Sequence, residues 1–312
     1  MKKLKVKTPA KINLTLEILN KREDGFHNLQ SIMQTVSLYD YLTFEVEKSE
    51  KLEICLSGNS EEIPYNESNL IYKAAKKFFE KASINDVKLN VYIEKHIPIA
   101  AGLAGGSTNA AGSFYALNRL FNNALTEKEI DELCASLGSD LNFCLYGGCA
   151  LCTSRGEVIE KIPFYEQSIS LIKPKNLGIS AKEAYINFSK LEDKSNPNNT
   201  TKMKELLLKG EFDKTLIYNS LEKALFPSYE ELRTLKARVK NSLMSGSGST
   251  FFVLNEKLET DLELKNYDIF ENLKTINTGV EEVNEWCNYY RKSKPKYSRY
   301  RYFFISWNSK DD

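Results

Sequence analysis

The residues best equipped for chemistry sit in one run, Pro98-Ile-Ala-Ala-Gly102-Leu103-Ala104-Gly105-Gly106-Ser107-Thr108-Asn109-Ala110-Ala111. It falls between an alternating apolar stretch that ends at Ile93 and a helical stripe that begins at Ala110. Glycines at such a joint let the backbone turn tightly and approach a ligand without a Cβ in the way. The unpaired N–H groups of the following helix then face that ligand with the positive end of the helix dipole, which suits a phosphate. Ser107 and Thr108 add hydroxyls for a phosphate oxygen or a magnesium ion. No Gly-Lys-Ser/Thr follows the glycines, so this is not a Walker A loop, and it does not fit the dinucleotide fingerprint of a first βα turn.

Further candidates lie on either side. Asp140 follows a helix that ends at Leu137-Gly138 and heads an apolar segment (Leu141, Phe143, Leu145) that reads as a strand. An acid there can face a cleft while its neighbours anchor the element, although an Asp after Gly-Ser equally serves as a cap or a surface acid. Lys11 and Asn13 are two apart on an alternating strand and project from one face. A solvated lysine fits the same pattern. Only two histidines occur, His27 and His96, and no role is evident for His96.

Three motifs together resemble those of the GHMP kinases. They are Thr8-Pro9-Ala10-Lys11-Ile12-Asn13-Leu14, the glycine loop, and Met244-Ser245-Gly246-Ser247-Gly248-Ser249-Thr250 before a strand. Asp24-Gly25-Phe26-His27-Asn28-Leu29-Gln30 and Leu137-Gly138-Ser139-Asp140 narrow the resemblance to the branch acting on a cytidine-diphosphate-linked methylerythritol. The likeness spans about residues 4–280. It implies an α+β, two-domain fold, ribosomal-protein-S5-like in the N-terminal domain and ferredoxin-like in the C-terminal one. It also implies ATP and Mg²⁺ as cofactors and phosphorylation of the acceptor's 2-hydroxyl in the non-mevalonate route to isoprenoid precursors. By this resemblance Asp140 takes the proton from that hydroxyl, and Lys11 keeps the carboxylate ionised and steadies charge on the reacting oxygens. ATP would be held by Asn69, Lys95, Pro98 and residues 102–108, with Ser107 on the metal. Asn13, Phe26, His27 and Tyr185 would bind the acceptor, His27 reading the cytosine edge and the two rings stacking on the base. Asn69 also opens a helix, where it can serve simply as a cap. Three positions depart from the pattern: Phe26 replaces tyrosine, Ala104 glycine and Asn142 proline. Rival readings are a GHMP kinase with another acceptor, a nucleotide sensor that has lost catalysis, and a nucleic-acid binder working through the C-terminal end.

The secondary structure around these residues is legible in outline. Alternation marks strands at Leu14–Ile18, Leu42–Val46 and Val87–Ile93. Helices are expected over 68–82, after the glycines, and from Thr126, where Thr126 and Glu129 spell a capping box. A strand over 168–172, a polar loop over 193–201 and three helical patterns up to 240 follow. A strand at 250–254 precedes a further helix and strand to about 278. A boundary near 160 divides the chain into domains 1–160 and 161–283.

At 312 residues, with 42% hydrophobic and 27% charged residues and a net charge of +1, the chain has an ordinary globular composition and no field to attract nucleic acid. No apolar run is long enough for a signal peptide or a membrane span, so a cytoplasmic monomer or weak homodimer without membrane or nucleic-acid partners is expected. Cys149-Ala-Leu-Cys152 lacks further zinc ligands nearby and reads as buried cysteines in a strand. Residues 284–312 hold six basic side chains between Arg291 and Arg301 and nine aromatics between Trp286 and Trp307. This atypical tail is expected to be unstructured, as from a shifted reading frame.

Overall fold

The structure, a computed structural model, describes residues 1–283. Alternating apolar positions produce two long antiparallel strands, β1 (Lys2–Lys21) and β2 (His27–Lys48). Strands of this length do not stay straight, and irregularities at Pro9/Ala10, Asn13/Thr15 and Ile18/Lys21 bend the ribbon. The bend gives β2 two successive partners. Residues 41–48 pair with β4 (Val87–Glu94), itself parallel to β3 (Glu53–Gly58), while residues 29–34 pair with β5 (Cys149–Ser154), which turns back into β6 (Val158–Ile162).

Helices α1 (Leu70–Ala82), α2 (Gly105–Leu120), α3 (Glu127–Leu137) and α4 (Leu141–Tyr146) cover one face of this sheet. Phe78, Phe79, Phe114 and Leu117 pack there on Leu42, Phe44, Val91 and Ile93, all nearly or fully excluded from solvent. Each side chain of this size contributes about 1.5–3 kcal/mol by burial. The Thr126/Glu129 capping box forms. The expected strand after Asp140 is instead α4, closed by the Cys144 N–H donating to the Asp140 carbonyl. Six residues with apolar side chains at 141, 143, 144 and 145 satisfy either period, and packing on α2 and α3 decides for the helix.

A second sheet is built from β7 (Ser168–Pro174), β9 (Leu243–Met244), β10 (Phe251–Leu254) and β11 (Tyr267–Lys274), in the order β11-β7-β10-β9. Between these strands run α5 (Ala181–Ser189), α6 (Asn199–Leu208), the short β8 (Tyr218–Asn219), α7 (Ser220–Leu225) and α8 (Glu230–Arg238). The helix expected before β11 is only a 3₁₀ turn over 264–266. β8 and β12 (Glu281–Glu282) both return to β1, and Met1–Glu282 form one compact unit. Ile12, Leu14 and Ile32 of the first sheet share a core with Leu171 and Phe252 of the second. The reading of residues 284–312 lies outside the described residues.

Candidate active site

The glycine loop is anchored from below by a carboxylate that the sequence did not single out. Asp40, fully buried on β2, accepts from the backbone N–H groups of His96 at 2.7 Å and Ile97 at 2.8 Å, and from Lys95 Nζ at 2.6 Å. Lys95 Nζ also donates to the Ile97 carbonyl at 2.7 Å. Burial lowers the Lys95 pKa against the opposing pull of Asp40. The ammonium sits directly under the loop, since a Cβ on Gly105 would lie 2.9 Å from it. Lys95 thus reaches the cleft wall while its charge is committed to Asp40.

Above this anchor Ala104 takes a left-handed conformation (φ +57) as N-cap of α2, without a side-chain cap. A non-glycine residue there costs about 1 kcal/mol. The Thr108 N–H bonds to the Ala104 carbonyl at 2.9 Å. The N–H groups of Gly105, Gly106 and Ser107 find no protein acceptor among the described residues. Three free donors at the start of a 16-residue helix, on a loop whose Gly106 is open to solvent, fit a phosphate chain. Ser107 lines the cleft, but Thr108 does not: it is fully buried, with its side chain against the Cys144 thiol. No group of three His, Cys, Asp or Glu able to hold a metal occurs among the described residues. Ser107 is the hydroxyl at this helix start that faces the cleft, where it could ligate a magnesium ion brought in on a phosphate chain.

β1 meets this loop through the Lys11 N–H, which donates to the Leu103 carbonyl at 3.1 Å. The Lys11 ammonium, nearly excluded from solvent, donates to Asn13 Oδ1 at 2.8 Å and lies 3.5 Å from Asp140 Oδ2. Asn13 Nδ2 donates to Ser31 Oγ, which in turn donates to the Thr15 carbonyl. This chain fixes where Lys11 points. Asp140 stands at the start of α4 with its side chain 29% exposed, so the carboxylate can meet a ligand. The serine-glycine loop closes in from the other side. Ser245 Oγ donates to the Gly102 carbonyl at 3.0 Å, and a Cβ on Gly246 would lie 3.1 Å from Lys11 Nζ. This loop carried a motif but no assigned role; in the structure Gly246 and Ser247 line the cleft.

At the far end, the turn after β1 presents Phe26, which is 53% exposed, and β2 begins with the buried His27. The His27 ring stacks on Tyr185 of α5 (centroids 5.9 Å apart, planes 23° apart) and meets the edge of Phe188. His27 Nε2 lies 3.3 Å from Ser189 Oγ. Burial, then Lys21 and Lys194, push the imidazole pKa below its ordinary value. Asn69 caps α1, accepting from the Ile71 N–H at 2.9 Å, and its amide donates to the Pro64 carbonyl at 2.7 Å. One cleft of about 1090 Å³ is lined by every residue expected to bind or react except Thr108. Cys149 and Cys152 are buried, unbridged and away from it, and burial raises the Cys149 thiol to about 12.

The family profile described as GHMP kinases N terminal domain matches residues 69–148, which include the glycine loop and Asp140. Curated relatives named 4-diphosphocytidyl-2-C-methyl-D-erythritol kinase include one from Bacillus cytotoxicus, 39% identical over 259 residues (81% of this chain, 88% of the relative). Another, from Bacillus anthracis, is 40% identical with the same coverage. A crystal structure of 4-(cytidine 5'-diphospho)-2C-methyl-D-erythritol kinase superposes with a TM-score of 0.63 at 30% identity, covering 80% of this chain and 89% of that one. Homoserine kinase from Cytophaga hutchinsonii shares the fold, with a TM-score of 0.67 at 19% identity over 91% of this chain and 98% of its own. With relatives this similar along four-fifths of its length, the chain has the α+β, two-lobed kinase fold and belongs to the GHMP kinase superfamily.

Proposed function

We propose that the protein transfers the γ-phosphoryl group of ATP to the 2-hydroxyl of 4-diphosphocytidyl-2-C-methyl-D-erythritol. The observation that carries this reading is the shared cleft, in which the Lys11–Asp140 pair lies between the open N-terminus of α2 and the His27–Tyr185 stack. The free N–H groups of residues 105–107 bind the nucleotide phosphates, and Ser107 would hold a magnesium ion there, which would supply positive charge to offset that of the phosphates. Lys11 steadies negative charge as it shifts between oxygens. Asp140 accepts the hydroxyl proton late, which suffices for a loose phosphoryl-transfer transition state. His27, neutral near pH 7, has one donor and one acceptor nitrogen for the cytosine edge, and Phe26 and Tyr185 offer ring faces to the base. Most of the catalytic gain then comes from placing the hydroxyl and the phosphorus within reach of each other. The same reading assigns a ribosomal-protein-S5-like arrangement to the first sheet with α1–α4 and a ferredoxin-like one to the second.

Coupled ADP release with Mg-ATP and three acceptors tests the assignment. The cytidine-linked methylerythritol should support turnover, while homoserine and mevalonate should not. Turnover with either of those instead would move the protein to another branch of the superfamily.

A further inference from the structure

The turn between β5 and β6 carries a cation for which the proposed reaction names no task. Arg155 lines the cleft beside Phe26, with its guanidinium carbon 5.2 Å from the ring centroid. Its Nε donates to Glu157 Oε1 at 3.3 Å. Glu157 also accepts from the Arg155 backbone N–H at 2.8 Å and from Ser154 Oγ at 3.1 Å. The guanidinium is therefore held through one nitrogen, and Nη1 and Nη2 meet no protein acceptor among the described residues. On the same turn, Gly156 (φ +117) lies against the reacting end of the cleft. A Cβ there would come within 3.5 Å of Ser139 Cβ and 3.9 Å of Asp140 Oδ1. Arg155 stands between the aromatic end and the carboxylate.

We infer that Arg155 holds the diphosphate of the acceptor through its free Nη edge. The inference rests on the cytidine-diphosphate reading above. In such an acceptor the diphosphate joins the nucleoside to the polyol, so its charges must lie between the base-binding rings and the hydroxyl that meets Asp140. A planar guanidinium matches phosphate oxygens two at a time and keeps its charge at any working pH. Lys21 and Lys182 also line the cleft and make no ion pair among the described residues, but each is a point charge on a flexible stem. Arg155 alone is pre-oriented, by Glu157, and loses less freedom on binding.

Calorimetric titration of cytidine and of CDP, each with a saturating non-hydrolysable ATP analogue present, separates this role from base stacking. The wild-type protein should bind CDP more tightly than cytidine. Arg155→Met should lower CDP affinity roughly 10- to 100-fold, leaving cytidine and the ATP analogue unchanged. In turnover the same variant should raise the acceptor KM by a similar factor, with kcat and the ATP KM little changed. An unchanged CDP-to-cytidine ratio in Arg155→Met would overturn the inference and leave the proposed function standing. Equal losses for cytidine and CDP would also overturn it, by showing that Arg155 acts through Phe26 and the base. A wild-type protein that binds neither ligand would remove the cytidine reading itself.

Discussion

Lys11 on β1 and Asp140 at the start of α4 form an ion pair 3.5 Å apart that lines the cleft, with the Asp140 side chain open to an incoming ligand. Asp140→Asn keeps the size of the side chain and removes the proton acceptor. It should lower kcat about 10²- to 10⁴-fold with the ATP KM nearly unchanged, as read by steady-state kinetics. A variant with near wild-type kcat would exclude Asp140 as the base. His27 gives a pH signature. Its folded pKa is below the unfolded value near 6.5, so below that pH the unfolded chain takes up the proton more readily. Stability should fall as pH drops through 6.5 toward the folded pKa, then stop falling on this account. Comparing melting temperatures at pH 7.5 and 5.5 in wild type and His27→Gln should show a shallower decline in the variant. Parallel declines would mean that His27 ionisation does not differ between the two states.

Element geometry explains why two loops far apart in sequence act on one site. Gly102, at φ +73, backs onto the serine-glycine loop, and a Cβ there would lie 2.0 Å from the Ser245 carbonyl oxygen. Gly102→Ala should cost about 2–4 kcal/mol in chemical denaturation and displace the 245–248 loop from Lys11. Gly106→Ala meets only Leu70 Cδ1 at 3.4 Å, so its stability should hold while its ATP KM rises. Equal losses of stability in the two variants would contradict this division of roles. The glycine loop was legible because its residue types are needed at a strand–helix joint, and the 126–129 cap because both partners are local. Asp40 was not legible, because its partners Lys95, His96 and Ile97 reach it only through tertiary folding. For the same reason, Lys95 read as a plain ligand residue although its ammonium pairs with Asp40. Thr108 read as cleft-facing from its neighbour Ser107, yet the two point to different sides of α2. Arg155 gave no signal, since Ser-Arg-Gly between two strands is an ordinary turn composition.

The whole molecule joins its two sheets through a shared core. Ile12, Leu14 and Ile32, on the same strands as Lys11, Asn13 and Ser31, pack with Leu171, Phe252 and Met203. Neither sheet can lose its structure without exposing part of the other's core, so residues 1–282 should unfold in one cooperative step. Far-UV and near-UV circular dichroism should report coincident thermal transitions, and two separated transitions would contradict the shared core. Joining the sheets also places the glycine loop, the Lys11–Asp140 pair and the His27–Tyr185 stack along a single cleft. The most direct test of that arrangement is ³¹P NMR of the product formed from Mg-ATP and the cytidine-linked methylerythritol. One ADP should form per new phosphomonoester, whose resonance should be a singlet because the carbon bearing the 2-hydroxyl has no hydrogen to couple across the P–O–C bond. A phosphomonoester split by such a proton, or ADP release with no new phosphomonoester, would contradict it.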